Sequence, residues 1–351
     1  MPSTITLFIM ARDEERALRR CIESAARFVD EVVVLDTGST DNTVSIAKAS
    51  GAVVMNNAWN DDFAAARNFG LSRITTDYVL SLDADEWLVQ GGEELLKIRA
   101  LDFRSAVFEI GMYMSPQVVD DTSRNDVDGV FYAPRIFPSS LRYRGRVHEA
   151  LVHSLPITRT ALRVKHDGYE PAQRERKTGR NLALLEKSLE EEPSNPLTYY
   201  YYAKEIRLKL EATKSTLSPD DLSVITKFFK ASLQGLHSNS ENRELITREA
   251  LLFFRDYKLD VDGIKLIFSA LMEKTLSREL SYLAAVFLYE QVLTGTEIQH
   301  KLLLDAADGL FFRVLKEADD VSATYPYELD IALLKNIRIS AISVARDSSG
   351  K

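Results

Sequence analysis

The chain has 351 residues, 45% hydrophobic and 27% charged, with one cysteine and a formal net charge of -8. That length allows two domains with separate cores, and the negative balance excludes a broad nucleic-acid surface, although local arginines can still hold a small anion. A single cysteine excludes an internal disulfide. The N-terminal apolar run "ITLFIM" is too short to span a membrane, so no integral membrane segment and a cytoplasmic location are expected.

In chain order, "TITLFIM" reads as a strand, and "DEERALRRCIESAARF" places Ala17, Cys21, Ala25 and Phe28 at helical spacing. Cys21 there is expected to be a buried thiol rather than a nucleophile. "EVVVLD" is a strand, "DNTVSIAKASG" a helix with a glycine stop, "AVVMN" a strand, "DDFAAARNFGLSRI" a helix and "DYVLSLDAD" a strand. Apolar strands alternating with helices predict an α/β unit with a parallel sheet covered on both faces. Beyond residue 100 the pattern turns to strand and loop: "SAVFEIGMYM", "GVFYAPRIF", "LRYRGRVHEALVH" and "TALRVKHD". From about residue 173, six stretches from "ERKTGRNLALLEKSLEEE" to "ELSYLAAVFLYEQVLTG" repeat apolar residues every three or four positions, predicting an all-α domain of helical hairpins. "EEEPSNPLTYYYYAKE" is similar to a tetratricopeptide unit, but the later stretches keep no strict period. Tyr199 to Tyr202 point around a helix, so at least two should reach its core. The expected domains are 1–172 and 173–351.

Asp36-Thr37-Gly38-Ser39 spells the D-T-G-S of an aspartic protease. Such enzymes need two of these loops, so that two carboxylates share a proton. No second D-T-G or D-S-G follows, and a helical C-terminal half does not suit a β-rich protease. What remains is an acid at the carboxyl end of an early strand, where ligands of open α/β sheets sit. Gly38 permits a tight turn, and Ser39, Thr40 or Asp41 can cap the next helix. Asp36 needs a partner if it is buried in that apolar run.

"DYVLSLDADEWL" delivers Asp83, Asp85 and Glu86 to the same sheet edge. Asp83 and Asp85 are two apart, so on extended backbone they face one way. Like charges so placed ask for a cation, and hard oxygen ligands suit Mg²⁺ or Mn²⁺ bridging to a phosphate.

These motifs together resemble family 2 glycosyltransferases of the GT-A fold. "FIMARDEE" resembles that family's first strand and turn, with Arg12 at the usual asparagine position. "VVVLDTGSTDNT", "FAAARN" and "LSLDADEW" match its later elements. "GRVHEAL" and "VKHDGY" resemble a subgroup with tetratricopeptide-like helices after a short catalytic domain, among them bacteriocin S- and O-glycosyltransferases of the sublancin type and lipopolysaccharide-core transferases. The resemblance covers residues 4 to 185 and implies a mixed, mostly parallel sheet.

It also implies roles. Asp36 accepts from a uracil-type base. Ala11, Arg12, Asp13 and Glu14 line the nucleoside, with Gly38, Ser39 and Asp41 beside them. Arg67 reaches the base or diphosphate, Asp83 and Ala84 the ribose and metal-bound water, and Asp85 the metal. His166, ending the last strand of that half, is a further candidate ligand. Glu149 is the expected general base, with His148 the alternative, the two facing opposite ways on a strand. A salt bridge from Glu149 to Arg144 or Arg146 is an equal reading. Alternating Arg142, Arg144 and Arg146 suit an anionic ligand or a solvated edge strand. Trp87 either stacks on a sugar or anchors the core.

The expected function is inverting, metal-dependent transfer of a glucose-type hexose from a UDP-sugar to a peptide side chain, Cys or Ser. The alternatives are a cell-envelope saccharide or lipid-linked glycan as acceptor, and an inactive nucleotide-binding scaffold. Missing glycine-rich phosphate loops exclude a nucleotidyltransferase and a Rossmann dehydrogenase. The apolar "YLAAVFLYEQVL" suggests a homodimer through the helical domain.

Overall fold

The structure is a computed structural model that describes residues 2–100, 106–113, 130–166, 171–212, 217–236, 241–273, 277–294, 300–318 and 331–349. Asp167 to Tyr169 of "VKHDGY" lie outside the described residues. Two compact units emerge: Met1–Glu191 with Glu211–Thr213, and Glu192–Leu210 with Lys214–Lys351.

The first unit is α/β. It runs β1 (Ile5–Ala11), α1 (Leu18–Ala25), β2 (Glu31–Asp36), α2 (Thr43–Ala49), β3 (Val53–Asn56), α3 (Phe63–Leu71), β4 (Tyr78–Asp83), β5 (Glu86–Gln90) and α4 (Glu93–Ala100). There follow β6 (Val107–Tyr113), β7 (Val130–Pro138), β8 (Arg142–Arg144), β9 (Ala150–Val152), β10 (Ile157–His166) and α5 (Pro171–Glu191). Eight strands form one mixed sheet in the order β3-β2-β1-β4-β7-β6-β10-β5. The four strands β3, β2, β1 and β4 are parallel, and β7 joins them antiparallel.

Both faces of this sheet are covered, which is why its strands read as continuous apolar runs. On β1, Ile5, Leu7 and Ile9 pack with Leu18, Cys21, Ile22 and Ala25 of α1, while Phe8 joins Ala66 and Leu71 of α3 on the other side. The approach of α3 is close: a Cβ on Gly70 would lie 2.5 Å from the Phe8 ring. β8 and β9 form a separate two-stranded ribbon. The stretch "LRYRGRVHEALVH", read from sequence as strand and loop with His148 and Glu149 on a strand, is a ribbon broken by a bend at 146–148. Gly145 (φ 103°) and His148 (φ 53°) both take left-handed backbone there, which a continuous strand does not tolerate.

The second unit consists of α6 (Pro196–Ala212), α7 (Pro219–Gly235), α8 (Glu241–Asp256), α9 (Asp260–Glu273), α10 (Arg278–Thr294), α11 (His300–Ala318) and α12 (Ile331–Ser349). From α7 onward the principal helix contacts run from each helix to its next or next-but-one neighbour, the pattern of stacked helical hairpins. α10 meets α8, α9, α11 and α12, and Ala284 to Tyr289 are all buried. The apolar richness of "YLAAVFLYEQVL", taken from sequence as a dimer face, is thus a core helix enclosed by neighbours. Of the four tyrosines, Tyr200 alone is buried, and Tyr199, Tyr201 and Tyr202 are half-buried. Tyr199 and Tyr202 rest instead on Phe228. Among the described residues no helix is long and apolar enough to cross a membrane.

Candidate active site

Parallel pairing sets the site. Register aligns Ala11 with Asp36 and Met10 with Asp83, so three strands end level with one another. The loops after β1 and β2 are bonded to each other. Asp13, in left-handed backbone (φ 56°), donates its amide to the Ser39 hydroxyl oxygen at 2.9 Å, and its carboxylate accepts the Thr40 amide at 2.7 Å. The Glu15 amide donates to Asp41 Oδ2, and the Asn42 amide to Glu15 Oε2. Asp41 Oδ1 accepts the Thr43 amide at the start of α2, so of the three candidates Asp41 meets the helix start, one residue before the N-cap Asn42, whose side chain makes no cap hydrogen bond.

The partner that Asp36 needs is local. Its carboxylate is buried and accepts the amides of Gly38 (3.1 Å) and Ser39 (3.2 Å), with Gly38 at φ 107° turning the chain to present them. A buried acid is thereby satisfied without a cation.

A cavity of about 340 Å³ opens at these strand ends. Of the sequence candidates, Ala11, Arg12 and Glu14 line it from the β1 end, Arg67 from α3, and Asp83, Ala84 and Asp85 from the β4 end. His148 and Glu149 close it from the bend. The expectation that these two face apart on a strand fails, because left-handed His148 lets neighbouring side chains reach one cavity. Asp13, Asp36, Gly38, Ser39 and Asp41 lie outside the cavity lining and shape the loops behind it. Trp87 is also outside it, beneath the Arg20 guanidinium at 3.5 Å from the ring centroid.

Arg67 is the centre of the site. α3 begins with Asp62, whose side chain caps the Ala65 amide, and the helix turns Arg67 inward. Only 6% exposed, its Nε donates to Glu149 Oε1 at 2.7 Å and a terminal nitrogen to Asp83 Oδ1 at 2.8 Å. The salt bridge of Glu149 is therefore with Arg67, not with Arg144 or Arg146, and Arg67 is an internal clamp rather than a surface side chain. Next to it, Asn68 exchanges two hydrogen bonds with the Tyr143 backbone, fixing the ribbon to α3. Arg142 and Arg146 donate to the carbonyls of Ser139, Leu141 and Asp61, and Arg146 also pairs with Glu191.

Arg135, on β7, answers the charge of the acidic cluster. One nitrogen reaches Glu86 Oε1 at 2.7 Å and Asp83 Oδ2 at 3.4 Å. Burial raises the Asp83 carboxyl, but Arg135 and Arg67 outweigh it and hold it well below the usual carboxylate range. Burial pushes Glu86 up to about 7 against the pull of Arg135. The repulsion read from sequence as a demand for metal is thus met at Asp83 and Glu86 by guanidiniums.

The Asp83–Asp85 pair is also not extended, since Ala84 and Asp85 form a turn between β4 and β5. Asp85 faces the cavity, and His166 of β10 is in register with Glu86, one residue away. Among the described residues no group of three His, Cys, Asp or Glu side chains gathers as a ready-made metal cage.

Sequence reasoning missed Arg135, Trp59, Phe63, Arg180 and Asn181. Arg135 had a signal: a charge inside the apolar strand "FYAPRIF" must be paired, by the same argument that singled out Asp36. Arg180 and Asn181 were hidden because their stretch reads as one more amphipathic helix.

Fold and site define an α/β domain whose acidic and basic side chains converge at the carboxyl ends of its parallel strands. Residues 6–96 match the sequence model of Glycosyl transferase family 2. That segment is similar to the domain of that family, and it runs from β1 through β4 with the turns that follow them. The chain is similar to the SPbeta prophage-derived glycosyltransferase SunS of Bacillus subtilis (strain 168), 29% identical over 261 residues, which are 71% of this chain and 58% of that protein. The chain thus spans little more than half of that curated relative's length. A TPR repeat-containing protein of Synechococcus elongatus is 47% identical over 85 residues, 24% of this chain and 21% of that one. Among solved structures, S. aureus TarS 1-349 in complex with UDP-GlcNAc matches 75% of this chain and 89% of its own, at TM-score 0.44 and 12% identity.

Proposed function

We propose that the protein transfers a glucose-type hexose from a UDP-sugar to an acceptor with inversion at the anomeric carbon. The observation that carries this reading is the cavity that gathers Asp83, Asp85 and Glu149 at strand ends within and beyond the family-matched segment. The Ala11–Glu14 turn and Thr37 take the nucleoside. Asp36 shapes that wall through Gly38 and Ser39.

A divalent ion, Mn²⁺ or Mg²⁺, would be held by Asp85 in the cavity, with His166, outside the cavity lining but in register with Glu86, as the candidate second donor. Such ions keep several waters and take phosphate oxygens, so two protein donors suffice. When bound, the ion neutralises charge on the departing diphosphate. Asp83, already paired twice, orients this edge and the ribose rather than serving as a principal ligand.

Glu149 accepts the proton of the acceptor nucleophile. The acceptor heteroatom bonds to the anomeric carbon on one face as the carbon–phosphate-oxygen bond breaks on the other, releasing UDP. Arg67 grips Oε1 of Glu149, which orients the carboxylate and directs its second oxygen to this task. A peptide side chain is the proposed acceptor, because stacked helical hairpins like those of the second unit commonly present extended peptide-binding surfaces.

Calorimetric titration with UDP and GDP, with Mn²⁺ and then with EDTA, tests the reading alongside Asp85→Ala. Metal-dependent binding of UDP, weakened at least about tenfold by Asp85→Ala, supports it. Binding of neither nucleotide under any condition refutes it.

A further inference from the structure

Resting on the UDP-sugar reading, we infer that Arg180 of α5 grips the donor's diphosphate. A diphosphate needs cations, and the cavity's most central one is already engaged: Arg67 is buried and held by both Asp83 and Glu149. Arg12 sits at the nucleoside turn, 4.0 Å from the Asp13 carboxylate. Arg180 is exposed and lines the same cavity from α5, together with its neighbour Asn181, whose Oδ1 accepts from Arg180 Nε at 3.4 Å and from a terminal nitrogen at 3.2 Å.

Its placement is built. The Arg180 guanidinium carbon lies 4.8 Å from the centroid of the Phe63 ring, a cation–π contact that anchors the side chain beside the cavity. Phe63 is itself held, packing against Trp59 at 4.7 Å and donating its amide to the Arg146 carbonyl at 2.8 Å. Further along α5, Lys187 pairs with Asp61 and Glu191 with Arg146. These two ion pairs dock the helix on the loop before α3 and on the bend that carries Glu149. Arg180 therefore arrives on a fixed helix, not on a mobile tail, and a planar guanidinium matches phosphate oxygens two at a time.

This position lies well outside the segment 6–96 that matches the family. Its consequence is that α5, although it reads in sequence as the first helix of an all-helical domain, supplies the phosphate-facing wall of the α/β site.

The experiment is calorimetric binding of UDP and of uridine, in Mn²⁺, to the full-length wild type, Arg180→Ala and Arg180→Lys. The expected result is UDP affinity weakened at least about tenfold in Arg180→Ala and less in Arg180→Lys, with uridine affinity within about twofold of wild type. UDP affinity unchanged in Arg180→Ala overturns the inference and leaves the donor reading intact. Equal losses for uridine and UDP also overturn it, since they indicate a distorted cavity. If wild type binds no UDP at all, the donor reading falls and the inference falls with it.

Discussion

Arg67 shows how one side chain can stand at the junction of three elements. It sits on α3 and ties the end of β4, through Asp83, to the bend that carries Glu149. Replacing it with alanine leaves two carboxylates facing each other without their common cation. We expect Arg67→Ala to cost about 3–5 kcal/mol in urea denaturation, the range for breaking a buried ion pair. Arg67→Lys should recover only part of this, because one ammonium cannot reproduce the fork that serves two acids. Arg135→Ala should also destabilise but by less, since Glu86, 3% exposed and already raised to about 7, takes up a proton once that cation is gone. A loss below about 1 kcal/mol in either alanine variant would contradict the clamp. At this scale the acids were legible in sequence and their cations were not. A D-x-D after a strand is a short local pattern, whereas Arg135 lies 52 residues from Asp83 and Glu149 lies 82 from Arg67.

The element that carries the site's geometry is α3. Its cap at Asp62, its inward Arg67 and its glycine contact with Phe8 each follow from a residue in "DDFAAARNFG". Gly70→Ala should destabilise the protein by about 1–3 kcal/mol in the same denaturation assay, because the added methyl meets an aromatic ring that is itself packed in the core. Asp62→Ala should cost about 1 kcal/mol for the lost cap. The parallel strands and the helices between them were readable, since apolar runs and helical spacing are local signals. The ribbon β8–β9 was not. An arginine-rich alternation reads as a strand, and nothing local announces that His148 adopts left-handed backbone or that Asn68 of α3 holds Tyr143. That misreading put His148 and Glu149 on opposite faces, although both belong to the cavity.

At the scale of the whole chain, two units with different construction share one sequence. The helical unit has its own half-buried polar contact: Asp308 on α11 accepts from Tyr289 Oη at 2.6 Å and from Arg338 at 2.8 and 2.9 Å. Burial raises the Asp308 carboxyl, but Arg338 and Tyr289 outweigh it and hold it below its ordinary value. A carboxyl lowered by folding adds stability above its unfolded pKa, near 3.9, and that stability disappears as pH falls through the folded value. Asp308→Asn should therefore weaken hydrogen-exchange protection in α10–α12 at pH 7 by about 1–3 kcal/mol. The difference from wild type should narrow in denaturation below about pH 4. A deficit that stays constant down to pH 3 would assign the effect to packing instead. The two-part organisation was visible in the change from alternating strands and helices to helices alone. The place of α5 was not, because its amphipathic pattern is equally suited to a helical stack and to a sheet domain.

The mutual fastening of the loops after β1 and β2 has a thermodynamic consequence. Asp13, Glu15, Ser39 and Asp41 hold these turns to one another through contacts internal to the chain. The nucleotide proposed above would meet turns with little backbone freedom left to freeze, so its contacts would not be offset by the entropy of ordering a flexible loop. Association should then resemble entry into a rigid seat, with rates set by encounter rather than by folding of the wall.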